Sequence, residues 1–71
     1  MTQRRALIKQ ISKAARAADL TWEVEREGGN HTVYSLDGVR IPIPRHTEIG
    51  EGLTAAIRKQ AAEKLGEGWW R

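Results

Sequence analysis

The chain contains no cysteine among its 71 residues. That excludes disulfide staples and thiolate metal sites, and it fits a reducing compartment. Long apolar runs are missing too. Nothing approaches the roughly 18 apolar residues of a spanning helix, and the opening stretch holds nothing like a signal peptide. A soluble cytoplasmic protein with no membrane partner is the expectation. Acids are absent from the front of the chain: Arg4, Arg5, Lys9, Lys13 and Arg16 all precede the first acid, Asp19. With a formal net charge of +3, a basic front suits a polyanion such as nucleic acid, or an acidic protein. A solvated helix face accounts for the charge pattern equally well.

Length sets a further bound. A chain this short buries only about 60–65% of the surface it exposes when unfolded, so its core is small. One domain over residues 1–71 is expected, with residues 66–71 as a short tryptophan-containing tail. There is no room for a separate cofactor-binding domain, and no cofactor is expected. Any active site must be sparse, with a substrate that supplies much of the chemistry.

The hydrophobic pattern orders the elements. Over residues 3–18, Leu7, Ile8, Ile11, Ala14, Ala15 and Ala18 fall within an arc of about 120° at helical spacing, and Arg5, Lys9, Lys13 and Arg16 fill a stripe of about 80° opposite. Thr2 reads as the N-cap and Asp19 as the exit. "TWEVERE" (21–27) alternates, with Trp22 and Val24 on one side and Glu23 and Glu25 on the other. Gly28-Gly29-Asn30 reads as a turn. "HTVYSL" (31–36) and "VRIPIP" (39–44) read as strands joined by Asp37-Gly38, a strong hairpin signal. Pro42 and Pro44 remove ladder donors, so the last strand belongs at an edge. Residues 45–50 read as a loop. Residues 51–65 read as a second helix with Leu53, Ala56, Ile57 and Ala61 as its apolar stripe and Gly66 as its C-cap. The expected fold is α+β, in the order α-β-β-β-α: a three-stranded antiparallel sheet with both helices on one face.

One short stretch carries chemistry. In "GGNHTVY", His31 follows a turn that exposes it, and imidazole carries protons near neutral pH. Gly28 and Gly29 permit close approach of a ligand and turn N–H groups toward an anion. Asn30 is a neutral donor. RNA suits so sparse a site, because its own 2′-hydroxyl is an internal nucleophile. An ordinary surface histidine after a turn is the plain alternative. Pairing across Asp37-Gly38 sets His31 opposite residue 44, which brings His46 to the same sheet end. The two histidines lack a third ligand at a convincing spacing, so no metal is expected. Lys9, Lys13 and Arg16 on the first helix are the expected contacts to an RNA backbone, with Arg26, Arg40 and Arg45 extending that surface. Tyr34 faces away from His31 and suits packing. Trp69 and Trp70 suit an edge cover, an oligomer contact or a partner site.

"GGNHTVY" resembles the G-[SN]-H-x-x-[YF] motif of the HicA family of small bacterial toxins, at Gly29, Asn30, His31 and Tyr34. "IPIPRH" looks like that family's V-x-P-x-P-x-H segment, at Pro42, Pro44 and His46. "TWEVERE" looks like its preceding strand, with Trp22 and Arg26 at an aromatic and a basic position. The ordered set covers nearly all of residues 4–62. The resemblance implies a double-stranded-RNA-binding-domain-like fold. It implies an mRNA interferase that works without a metal, with His31 catalytic; beside it, the residue reading expects Gly29, Asn30, Lys9, Lys13, Arg16, Arg26, Arg45 and His46 to bind the substrate. It also implies a cognate HicB-like antitoxin. "GEGLTAAIRKQAA" keeps the family's Gly, Leu, Ile and Lys-Gln at altered spacing, and "EKLGEGWWR" runs beyond where many members stop. A non-catalytic RNA-binding module and a protein-interaction adaptor remain as competing readings.

Overall fold

The computed structural model describes all 71 residues. In chain order the elements are β1 (Thr2–Gln3), α1 (Arg4–Ala17), β2 (Trp22–Gly28), β3 (His31–Leu36), β4 (Val39–Pro44), β5 (Glu48–Ile49) and α2 (Glu51–Leu65). The two helices and the three long strands follow the expected α-β-β-β-α order. No helix is long and apolar enough to cross a membrane.

The sheet has the order β2-β3-β4, antiparallel throughout, so β3 is central and the proline-bearing β4 lies at an edge. Both hairpins turn on two residues. Asp37 (φ 49) and Gly38 (φ 94) take the double positive φ of a tight hairpin turn, and the Asp37 N–H donates to the Thr21 carbonyl at 2.9 Å. Gly29 (φ 32) opens the other turn, which consists of Gly29 and Asn30 alone. Gly28 remains in β2, paired with His31.

Alternation along β3 sends Thr32, Tyr34 and Leu36 toward the helices and leaves His31, Val33 and Ser35 on the open face. Leu36, Ile41 and Ile43 are fully buried against Leu7, Ile11 and Ala15 of α1 and Ile57 and Ala61 of α2. Tyr34 stacks on Trp22 with ring centroids 4.6 Å apart, in the packing role its parity implies.

Four local expectations need correction. Thr2 does not cap α1. Gln3 occupies that position without a side-chain cap bond, because Thr2 and Gln3 pair with Ile49 and Glu48 in a two-stranded ribbon. For the same reason residues 45–50 are not all loop. In β2 the register slips between Val24 and Arg26, so simple alternation holds only as far as Val24. The buried face of α2 is Thr54, Ile57 and Ala61, whereas Leu53 is 45% exposed. β5 delivers the chain to the helix with Ile49 in the core, and the Thr54 hydroxyl donates back to the Ile49 carbonyl at 3.4 Å. Ile57 and Ala61 are buried as read, and the face is turned by roughly 60° so that Thr54 takes the place of Leu53 and Ala56.

The tail folds back. The Trp69 Nε1–H donates to the Arg58 carbonyl of α2 at 2.9 Å, and its ring packs against the core. Trp70 meets Trp69 edge-on at 5.8 Å. The tryptophans therefore cover the α1–α2 seam.

Ile57→Ala should cost about 2–4 kcal/mol of stability, while Leu53→Ala should cost less than about 1 kcal/mol. Urea denaturation of both variants checks which face of α2 is buried. Equal losses would contradict the observed rotation.

Candidate active site

His31 is the first residue of β3 and stands opposite Gly28 on one side and Pro44 on the other. The pairing with residue 44 is the one expected from the Asp37-Gly38 turn. The imidazole is exposed on the open sheet face and makes no hydrogen bond or ion pair within the chain. Gly28 and Gly29 contribute no side chains of their own to the space beside it.

The bulge in β2 places Arg26 next to this space. Regular alternation would send Arg26 to the Trp22 side. Instead Arg26 pairs with Val33, which shares the open face with His31. Arg26 and His31 are thus diagonal neighbours on one face, a relation that puts Cα atoms about 7–8 Å apart. The Arg26 guanidinium lies along Gly28, since a Cβ built on that glycine would sit 3.8 Å from the Arg26 Nε. Arg26 has no acidic partner within the chain. Its neighbour Glu25, the extra residue of the bulge, is taken up by Arg40 at 3.0 Å. Glu25, Arg26, Val33 and Arg40 line a shallow depression on this face.

The same bulge puts Glu27 on the helix side of the strand, opposite Thr32, with its side chain still 64% exposed. Thr32 is only 2% exposed, and its hydroxyl uses its full capacity of one donor and two acceptor positions. It donates to the Glu27 Oε1 at 2.9 Å. It accepts from the Arg4 Nη2 at 3.2 Å and from the Arg45 Nε at 3.3 Å. The Arg45 Nη2 also meets the Glu27 Oε1 at 3.0 Å, and the Arg4 Nε donates to the Pro44 carbonyl at 3.0 Å. This network fastens the start of α1 to the end of the sheet that carries His31. The Arg45 N–H completes it by donating to the Asn30 carbonyl at 3.0 Å, which steadies the Gly29-Asn30 turn.

The site residues expected from the sequence therefore separate into groups. Gly29, Asn30, His31 and Arg26 share the turn and the open face. Arg45 is at the same end, but its guanidinium is committed inward to Thr32 and Glu27. His46 is also at this end, yet it lines a different concavity, with Gln3, Arg4, Arg5, Arg45 and Thr47. No three His, Asp or Glu side chains converge anywhere in the chain. Lys9 is exposed midway along α1, on the helix side of the sheet. Lys13 lies beside Trp69 and Trp70. Arg16 is at the far end of α1, near Asp19 and Trp22. The cationic stripe thus runs away from His31, and of its four members only Arg5 reaches the His31 end.

Sequence reasoning missed Arg4, Glu27 and Thr32. Thr32 left a trace: a hydroxyl at a core-facing position between His31 and Val33 calls for a buried partner. Glu27 left none, because its place on the helix side depends on the bulge. Thr32→Val, which keeps the shape but removes the hydroxyl, should cost about 1–3 kcal/mol, and Thr32→Ser should cost less. Chemical denaturation tests this. A Val variant as stable as the parent would show that the network contributes nothing to holding α1 on the sheet.

A sequence model of the family described as HicA toxin of bacterial toxin–antitoxin matches residues 8–62. No curated protein and no solved structure matches the chain significantly. The matched span runs from the first turns of α1 into the last turns of α2. It contains every long strand and the Gly-Gly-Asn-His turn. With that span covering most of its length, the chain belongs to the HicA toxin family of bacterial toxin–antitoxin systems.

Proposed function

We propose that this toxin is an endoribonuclease that cleaves mRNA without a metal, with His31 as the general acid/base. The observation that supports this reading best is the state of His31. It is an exposed imidazole with no intramolecular partner, at a glycine-walled hairpin end, with an unpaired guanidinium on the same face.

Those parts suffice for one reaction. The RNA 2′-hydroxyl attacks the adjacent phosphorus while His31 takes its proton. The bond from phosphorus to the 5′-oxygen breaks as the new bond forms. The imidazolium returns the proton to the departing 5′-oxygen, so charge and protons balance. The products are a 2′,3′-cyclic phosphate and a 5′-hydroxyl. The nucleophile belongs to the substrate, so the protein needs no activated water. Arg26 faces the charge that grows on the phosphoryl oxygens. The Gly29 and Asn30 backbone lets the phosphate approach closely. Lys9, Lys13 and Arg16 supply longer-range attraction to a polyanion on the helix side. A cognate HicB-like antitoxin would neutralise the toxin by covering the turn and the open face, and the family membership supports such a partner.

Induced expression in a bacterial host tests the proposal. The parent chain should stop growth and deplete mRNA. His31→Ala, made at a similar level, should do neither, since losing a general acid/base costs about a hundredfold or more in rate. Arg26→Gln should slow RNA cleavage by about tenfold or more. Indistinguishable behaviour of the parent and His31→Ala would remove His31 from the chemistry and favour a non-catalytic RNA-binding module.

A further inference from the structure

We infer that the concavity on the underside of the His31 end is a second anion site, one that holds a backbone phosphate of the RNA strand away from the phosphate that is cut. The inference rests on the reading of this chain as an RNA-handling protein. It adds a subsite and assigns it to Arg5 and His46.

The concavity is lined by Gln3, Arg4, Arg5, Arg45, His46 and Thr47, and encloses about 320 Å³. None of the six is acidic and none is apolar. Its nitrogen donors fall into two kinds. Arg4 and Arg45 are fixed by the Thr32 hydroxyl, the Pro44 carbonyl and Glu27. They give the concavity a rigid, positively charged wall. Arg5 and His46 make no hydrogen bond or ion pair within the chain. Glu27 is the one carboxylate engaged with this wall, through Arg45, and it does not line the concavity. Basic groups gathered this closely repel one another unless an anion joins them.

Position identifies the anion. The Arg45 N–H bonds the Asn30 carbonyl, so the concavity and the His31 turn share a rim. A polynucleotide chain crossing the Gly29-Asn30 turn therefore passes from one to the other. The fork of a guanidinium suits phosphate oxygens. A docking site for a folded protein needs an apolar centre, which this lining does not have. Backbone contacts to nucleic acid need none. The rest of the α1 stripe is poorly placed for the role: Arg16 lies about 16 Å along the helix from Arg5.

The test uses the full-length chain carrying His31→Ala, so the RNA stays intact, and a short fluorescently labelled single-stranded RNA. Anisotropy gives the affinity across a range of NaCl concentrations. Arg5→Gln together with His46→Gln should weaken binding by about tenfold at low salt and lower the salt slope by about 0.7, the loss of one phosphate contact on a single strand. Lys59→Gln, on the exposed side of α2, should change neither. Circular dichroism confirms that each variant is folded. Neither substituted side chain bonds another part of the protein, so loss of fold is not expected. A double variant that binds RNA like the His31→Ala parent, with the same salt slope, overturns the subsite. So does a double variant that keeps its RNA affinity but loses binding to a polyglutamate peptide, since the concavity then serves an acidic polypeptide. The readout is binding alone, so failure of the subsite and failure of His31 catalysis are separable: the first leaves mRNA cleavage by the parent chain intact, and the second leaves the binding difference intact.

Discussion

One extra residue in β2 decides which side chains stand beside His31. Without the slip between Val24 and Arg26, the Arg26 guanidinium would share the helix side with Trp22, and Glu27 would lie on the open face. Each would then be in the wrong place. An acid beside His31 would repel a phosphate, and an arginine in the packing layer would need a partner of its own. With the slip, the open face receives a free cation and the inner side receives the acid that Arg45 and Thr32 require. Bulges commonly re-aim side chains at strand edges in this way. Here a single register step serves the site and the scaffold together.

The scaffold depends equally on the Thr32 hydroxyl. It is buried, saturated with hydrogen bonds, and shared by residues from α1, β2, β3 and the segment after β4. A small protein has little apolar core with which to hold its first helix in place. This chain adds a polar clamp at one end of the sheet and a tryptophan at the other side of the helix pair, where Trp69 bonds the Arg58 carbonyl. The clamp also orders the backbone that carries His31, through the Arg45 bond to Asn30. Stability and site geometry at this end are therefore properties of the same few contacts.

Much of this was legible in the sequence. Asp37-Gly38 placed one hairpin and fixed the pairing of His31 with Pro44. Gly-Gly-Asn placed the other. The 3.6-residue spacing of Leu7, Ile11 and Ala15 located the buried face of α1. What escaped had physical reasons. After Val24 the strand reads Glu-Arg-Glu-Gly, with no apolar residue to report a change of side, so the bulge was invisible. The β1–β5 ribbon joins two residues to two others across most of the chain, which no local pattern encodes. In α2 the stripe was misread because Thr54 took a buried position that Leu53 suggested by composition. The distance of the α1 cations from His31 was hidden for a related cause. Helical spacing shows that Lys9, Lys13 and Arg16 share a face, but not which end of the helix meets the sheet at His31.

In the proposed reaction the substrate's own hydroxyl is the nucleophile and the protein moves its proton. The most direct measurement is the end-group chemistry of RNA fragments produced by the purified chain in the presence of a chelator. Attack by the 2′-hydroxyl leaves a 2′,3′-cyclic phosphate or its 3′-phosphate hydrolysis product on one fragment and a 5′-hydroxyl on the other. Fragments ending in a 3′-hydroxyl and a 5′-phosphate would contradict it, because they form when water, rather than the 2′-hydroxyl, attacks the phosphorus of the intact strand.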